Sequence, residues 1–343
     1  MKNFAALAVF AGLSVTAHAQ SSVTLFGTLD VNVRYVKNAD ASLKSLSNDG
    51  TTSSRLGVRG LEDLGDGLQA GFWLESGLNP DDGTTKDTTR FWSRRSTVSL
   101  LGPFGEVRLG RDQVPTYLGF SDYDALGTNG VGTGDKFITK LGTVSDTGKR
   151  ADNQISYLTP SALGGFYGRV SVAAGEGTAG KKYLGGRVGY AAGPLNVSLA
   201  YGQTTVGVNP AGGDKFEVFD AGASYDLGVV KLTGYYTQSS AGALKLAVFN
   251  VGALVPVAQA GVVRVSYINA NASGSALTDP NDANQFAAGY LHNLSKRSAL
   301  YATVAHVNNK GAAAFNVATP SVLPKLPAGQ SSTGYEIGIR HSF

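Results

Sequence analysis

Arginines and carboxylates are the residues of this chain whose types and placing could do chemistry. In the segment that starts near Ser54, Leu56, Val58 and Gly60 share one parity, which turns Arg55 and Arg59 to the other. Glu75 takes the polar parity of the next segment, two positions after Trp73, and Arg150 ends the longest unpatterned stretch. Guanidinium groups keep their charge in proteins. Set beside a few carboxylates, they can attract and sort charged solutes with no covalent step. Covalent and metal chemistry have poorer material. Cysteine is absent, and His292, His306 and His341 show neither metal-ligand spacing nor a recognisable Ser or Asp partner. No enzyme, metal or other cofactor is expected. Gly175 to Lys182 imitates a phosphate-binding loop, but Lys182 stands where Ser or Thr is needed, and an alternating strand follows instead of a helix. Gly127 to Gly134 is glycine-rich without a βαβ context, so neither a dinucleotide nor a nucleic acid is an expected partner.

Those side chains need elements to hold them, and residues 1–19 are not among the elements. Lys2 supplies a basic start, Phe4 to Val15 forms a short apolar run, and Ala17-His18-Ala19 is a small-x-small cleavage site, the marks of a secretory signal peptide. The run is shorter than the roughly 20 residues of a membrane-spanning helix. The mature chain, 20–343, is expected to start at Gln20 with 28 basic and 25 acidic residues, a balance of +3. An exported chain without cysteine has no disulfide staples. The full sequence has 46 Gly, 15 Phe and 15 Tyr, and beyond the leader no long apolar segment, which suits a membrane protein whose apolar and polar residues alternate.

Alternation is what the sequence shows. Val23, Leu25, Gly27, Leu29, Val31, Val33 and Tyr35 take one parity; Thr24, Thr28, Asp30, Asn32 and Arg34 take the other, with Phe26 the single intruder. A period of two gives one apolar and one polar face, and this run is far longer than the common strand of about 5–6 residues. Sixteen such segments start near residues 23, 54, 67, 93, 105, 152, 165, 183, 194, 215, 228, 245, 260, 284, 298 and 333. The last places Tyr335, Ile337, Ile339, His341 and Phe343 opposite Glu336, Gly338, Arg340 and Ser342. Hydrocarbon offers backbone groups no hydrogen-bond partners, so such a sheet must close. The expected fold is all-β, a 16-stranded antiparallel transmembrane β-barrel.

Connection lengths agree. Short turns such as 63–67, 102–105, 192–194 and 293–296 are rich in Gly, Pro and Asn. They alternate with longer polar stretches at 37–52, 77–91, 203–214, 270–283 and 308–332. Tight turns at one end and long loops at the other are barrel features. One connection, 112–150, is much longer than the ~12–15 residues usual for an unstructured loop. Its Tyr117, Phe120, Tyr123, Phe137 and Ile138 predict packing, with the inner wall of the barrel the nearest surface.

Particular motifs carry a family likeness. They are Ser21-Ser22-Val23-Thr24-Leu25-Phe26-Gly27, Ser54-Arg55-Leu56-Gly57-Val58-Arg59-Gly60, Glu62-Asp63-Leu64-Gly65-Asp66-Gly67-Leu68 and Phe104-Gly105-Glu106-Val107-Arg108-Leu109-Gly110-Arg111. Asn153-Gln154-Ile155-Ser156-Tyr157 and Gly338-Ile339-Arg340-His341-Ser342-Phe343 complete the set. In order and spacing these resemble the trimeric general porins of Gram-negative bacteria, in particular the beta-proteobacterial branch, over essentially the whole mature chain. The resemblance implies an outer-membrane homotrimer amid lipid and lipopolysaccharide, passing ions and small hydrophilic solutes by diffusion. It implies that the third outer loop, here 112–150, folds inward to narrow the pore.

By the same resemblance, Arg55, Arg94, Arg111 and Arg150 match a basic cluster facing that loop. Simple parity turns Arg95 and Arg108 inward instead of Arg94 and Arg111, and the two readings stay side by side. The Pro-Glu-Phe-Gly-Gly loop tip of some enteric relatives is absent, which leaves Glu75, Asp122, Asp124 and Asp135 as the acidic candidates. The basic cluster and the +3 balance predict mild preference for small anions. A solute-specific porin and an adhesin barrel are the competing functions. Phe343, terminal and on the lipid parity, resembles the signal read by the outer-membrane assembly machinery.

Overall fold

A computed structural model describes residues 22–208, 212–318 and 325–343. The expected leader at 1–19 and the expected mature start at Gln20 lie outside them. Eighteen strands follow in order: β1 (Ser22–Asn38), β2 (Ala41–Asn48), β3 (Arg55–Gly65), β4 (Leu68–Asn79), β5 (Thr84–Thr85), β6 (Arg95–Gly102), β7 (Gly105–Gln113), β8 (Arg150–Leu158) and β9 (Phe166–Ala173), then β10 (Lys182–Ala192), β11 (Leu195–Thr205), β12 (Lys215–Asp226), β13 (Lys231–Ala241), β14 (Leu244–Val257), β15 (Gly261–Ser273), β16 (Ala283–Asn293), β17 (Ser298–Asn309) and β18 (Ser332–Ser342). They form one antiparallel sheet that closes where β1 pairs with β18, from Thr28↔Ser342 to Asn38↔Ser332.

The barrel has sixteen staves. β2 pairs with the outer half of β1 (Val31 to Asn38) and β3 with its inner half (Ser22 to Thr28), so these two are halves of one stave broken by residues 49–54. β5 only makes a two-residue contact with the end of β4. Every expected strand start lies within three residues of the one observed. Two details differ from the sequence reading. The stretch 37–52 contains β2, whose mixture of Ser and Lys with Leu43 and Leu46 hid its alternation. The outer connection between β13 and β14 is a two-residue turn at Gly242 and Ala243, so not every outer loop is long.

Period-two alternation explains which face is which. Val23, Leu25 and Ile337 are 68%, 62% and 70% exposed on the outside, where apolar residues suit lipid. Thr28, Asp30, Asn32 and Arg34 are buried on the inside. The apolar cluster of the molecule therefore lies within the lumen, under the long loop. Phe120 and Tyr235 meet at 5.3 Å between centroids, and Phe137 and Phe315 at 4.9 Å. Helix α1 (Pro115–Ser121) runs against β10, β11 and β12. Next to it Tyr123 lies over Gly222, where any Cβ would clash with its ring. The Tyr123 hydroxyl donates to Asn196 Oδ1 at 3.1 Å and lies within hydrogen-bond reach of the Ser198 hydroxyl at 3.0 Å.

The rest of the loop is fastened along the same wall. Arg264 donates to the Leu126 carbonyl at 3.3 Å, Gln285 Nε2 to the Gly132 carbonyl at 2.8 Å, and the Val131 amide to Glu336 Oε1 at 3.3 Å. These wall residues are inward-facing positions of β15, β16 and β18. An isolated loop of this length would be expensive to order. The apolar contacts and wall hydrogen bonds offset that cost.

Candidate pore constriction

The loop occupies the side lined by β9–β18, and one group of charged residues gathers on the opposite side, lined by β3, β4, β6 and β8. Glu75 is their centre. Arg94 Nε donates to Glu75 Oε1 at 2.5 Å, and Arg55 Nε lies 3.8 Å from the same oxygen. Trp73 Nε1 donates to the other carboxylate oxygen at 3.1 Å. Arg150 Nε donates to the Arg94 backbone carbonyl at 2.7 Å, so its guanidinium joins the group from where the loop re-enters the sheet. Arg55 is steadied by the Ser53 carbonyl at 3.0 Å and the Thr52 hydroxyl at 3.1 Å. Two guanidiniums thus reach one carboxylate, and a third lies beside them.

The two open choices of parity resolve differently. Arg95 stands opposite Glu75 in the strand register and reaches inward as alternation requires. Arg94 immediately precedes β6, escapes alternation, and reaches Glu75 as well. Arg108 is inward, forked on Glu106 with both contacts at 2.8 Å and 2.7 Å from Asp112. Arg111 does not join the Glu75 group. It donates to the Ser93 carbonyl at 2.7 Å and to Asp152 at 2.5 Å, and Asp152 also holds Arg90. Arg111 lies on the outward parity of β7, and the pairing with β8 shifts register beside it, between Gly110 and Asp112.

The loop acids separate as well. Asp135 pairs with Lys149 and lines the outer chamber together with Arg94 and Arg150. Asp122 is bonded to Arg187 of β10 at 2.6 Å, tying the end of α1 to the wall. Asp124 departs from the expectation of a pore-facing carboxylate. It is buried within the loop, where its oxygens accept the amides of Leu126 at 3.0 Å and Gly134 at 2.8 Å. Burial pushes its pKa up to about 6, because an apolar setting disfavours the charged form. Bending the loop back on itself uses this carboxylate.

The Gram-negative porin family model matches residues 5–312. The chain belongs to the Gram-negative porin family. It is 43% identical to outer membrane porin protein 32 of Delftia acidovorans, over the full chain and 99% of that protein. It is 30% identical to an outer membrane porin of Bordetella pertussis across the whole of both chains. Among solved structures, an anion-selective porin from Comamonas acidovorans shares 41% identity and superposes with a TM-score of 0.84, covering 94% of this chain and all of that one. This porin is an outer-membrane channel.

Several residues of the porin lumen were not singled out in the sequence. Lys86, from the loop after β4, pairs with Asp49 in the break between β2 and β3. Arg34 on β1 pairs with Glu336 on β18 at 2.9 Å. Asp30 accepts the amides of Gly50, Thr51 and Thr52 at 3.1, 2.9 and 3.0 Å and so holds that break in place. Arg34 and Asp30 already stood on the polar parity of β1. Nothing in the spacing linked Lys86 to Asp49.

Proposed function

We propose that this porin is an anion-preferring diffusion channel, narrowest between the loop 112–150 and the wall that carries Arg55, Arg94 and Arg150. The observation that carries the reading is the gathering of these three guanidiniums in one group, of which Arg94 and Arg55 reach the carboxylate of Glu75 and Arg150 is held on the Arg94 backbone carbonyl. Arginine stays charged at any working pH, and one carboxylate cannot balance three such groups. A passing anion meets net attraction and a cation net repulsion, while the surrounding water keeps either effect mild. The likeness to an anion-selective porin at 41% identity supports the same reading. Arg111, Asp122 and Asp124 belong in this view to the supports of the narrow part, and Asp135 to its rim.

The reversal potential of the purified protein in a KCl gradient tests the proposal, and cation preference overturns it. Arg55→Gln and Arg150→Gln should each weaken the anion preference. The preference should also shrink between 0.1 M and 1 M salt, as the screening length falls from about 10 Å to about 3 Å. We infer further a homotrimer set in lipid and lipopolysaccharide and inserted by the assembly machinery. Channel closure in three equal steps would support the trimer, and closure in one step would remove it.

A further inference from the structure

Below the arginine group, toward the end of the barrel with the short turns, Phe26 is the aromatic residue that interrupts the polar parity of β1. Its ring crosses to β3 and lies over Gly57, where a Cβ would come within 2.4 Å of the ring. It meets Trp73 edge-on with centroids 5.1 Å apart. Two guanidiniums stack on this pair. Arg59 lies 5.0 Å from the Trp73 centroid and 5.4 Å from that of Phe26, and Arg95 lies 4.5 Å from Trp73. Strand register explains the arrangement, since Trp73 stands directly opposite Arg59 on β3.

The arginines here differ in what they hold. Arg95 donates to the Thr97 hydroxyl at 3.0 Å and lies 4.0 Å from Asp112. Arg108 is occupied by Glu106 and Asp112. Arg59 is exposed, and among the described residues it has no carboxylate or hydrogen-bond acceptor. Its guanidinium lies near two aromatic rings, and among the described residues none of its donors is taken up by an acceptor. Arg59, Trp73, Arg95, Glu106 and Arg108 line a chamber of about 440 Å³, and Phe26 packs behind Trp73 and Arg59.

We propose that this chamber is a binding subsite for carboxylates that carry an aromatic ring. The inference rests on reading the barrel as an anion-preferring channel. A guanidinium stacked on an aromatic face keeps its in-plane donors, and these match the two oxygens of a carboxylate. The stacking also removes most of the freedom that Arg59 would otherwise lose on binding. Trp73 then offers aromatic surface beside the charge, which a chloride or acetate ion cannot use and a ring can. Glu106 is already engaged by Arg108, so the free charge of the chamber is positive. The indole N–H of Trp73 bonds to Glu75, which places the subsite directly beneath the narrow part of the pore.

Benzoate and acetate are the probes, added from the short-turn side to the purified protein in a planar bilayer carrying chloride current. Benzoate should depress that current saturably, at concentrations at least tenfold lower than acetate. Arg59→Gln should raise the half-blocking benzoate concentration tenfold or more. Trp73→Leu should raise it more for benzoate than for acetate. Equal potency of benzoate and acetate on the native channel overturns the subsite, as does an Arg59→Gln channel that benzoate blocks as before. The comparison on native protein decides the matter even where a variant fails to insert. Loss of chloride preference in the native channel would strike the anion-channel reading itself. Normal chloride preference without discrimination between the two acids strikes only the subsite.

Discussion

Gly27 and Phe343 exchange backbone hydrogen bonds, the Gly27 amide to the Phe343 carbonyl at 3.0 Å and the reverse at 3.1 Å. The Phe343 ring lies where a side chain of Gly27 would be, since a Cβ there would stand 2.3 Å from the ring. The seam between first and last strands is thus fitted around this pair. Removing Phe343 takes away both bonds and the ring without touching the lumen. Deletion of Phe343 should lower the yield of inserted barrel severalfold, measured as the heat-modifiable band on gels, while the channels that do fold conduct normally. Normal insertion without Phe343 would count against its role in assembly.

Glu75 tempers the arginine group, so Glu75→Gln should increase anion preference. A unit charge about 4 Å from a passing ion is worth about 1 kcal/mol in water-like surroundings, roughly a fivefold change in relative permeability. The chloride-to-potassium permeability ratio from reversal potentials is the measurement. An unchanged or smaller ratio would mean that Glu75 is fully masked by Arg94.

Asp30 fastens the break in the second stave. Besides the three amides it accepts the hydroxyls of Thr51, at 2.7 Å, and of Tyr301. Asp30→Ala would leave buried donors without partners, at about 1–3 kcal/mol for such a group. It should lower the thermal midpoint of barrel unfolding and free Arg55, whose acceptors Thr52 and Ser53 lie in the same segment. Single-channel recordings should show a noisier open current. A quiet current with native stability would refute the fastening role.

These three cases show what alternation could and could not reveal. The staves were legible because one face meets lipid and the other water, so each strand carries its own two-residue code. The inward placing of Arg55, Glu75 and Arg95 was legible for the same reason. Arg94 precedes β6, and Arg111 sits where the β7–β8 register shifts, so the code does not govern either. β2 was missed because Ser and Lys occupy much of it beyond the apolar band. Asp124 was misread because composition alone does not distinguish an acid aimed at water from one that accepts the loop's own amides. Contacts between distant segments, such as Lys86 with Asp49, have no periodic signature at all.

Asp124 makes the loop sensitive to pH in a defined direction. Its pKa rises from an ordinary 3.8 to about 6 in the folded loop. A group raised in this way lends stability that is fully present below its unfolded pKa and is lost as pH rises through the folded one. Between roughly pH 4 and pH 6 the folded loop should therefore lose stability on the order of 3 kcal/mol, two pKa units at 1.36 kcal/mol each. Lys136 works the other way and elsewhere. Burial lowers its pKa from 10.5 to about 7, so it is protonated in both states below pH 6 and contributes a constant there. Asp124→Asn keeps an acceptor for the Leu126 and Gly134 amides but cannot ionise. Protease sensitivity of residues 112–150 in the native protein should increase from pH 4.5 to pH 6.5, and Asp124→Asn should flatten that increase. If the asparagine variant retains the full pH response, another group is titrating.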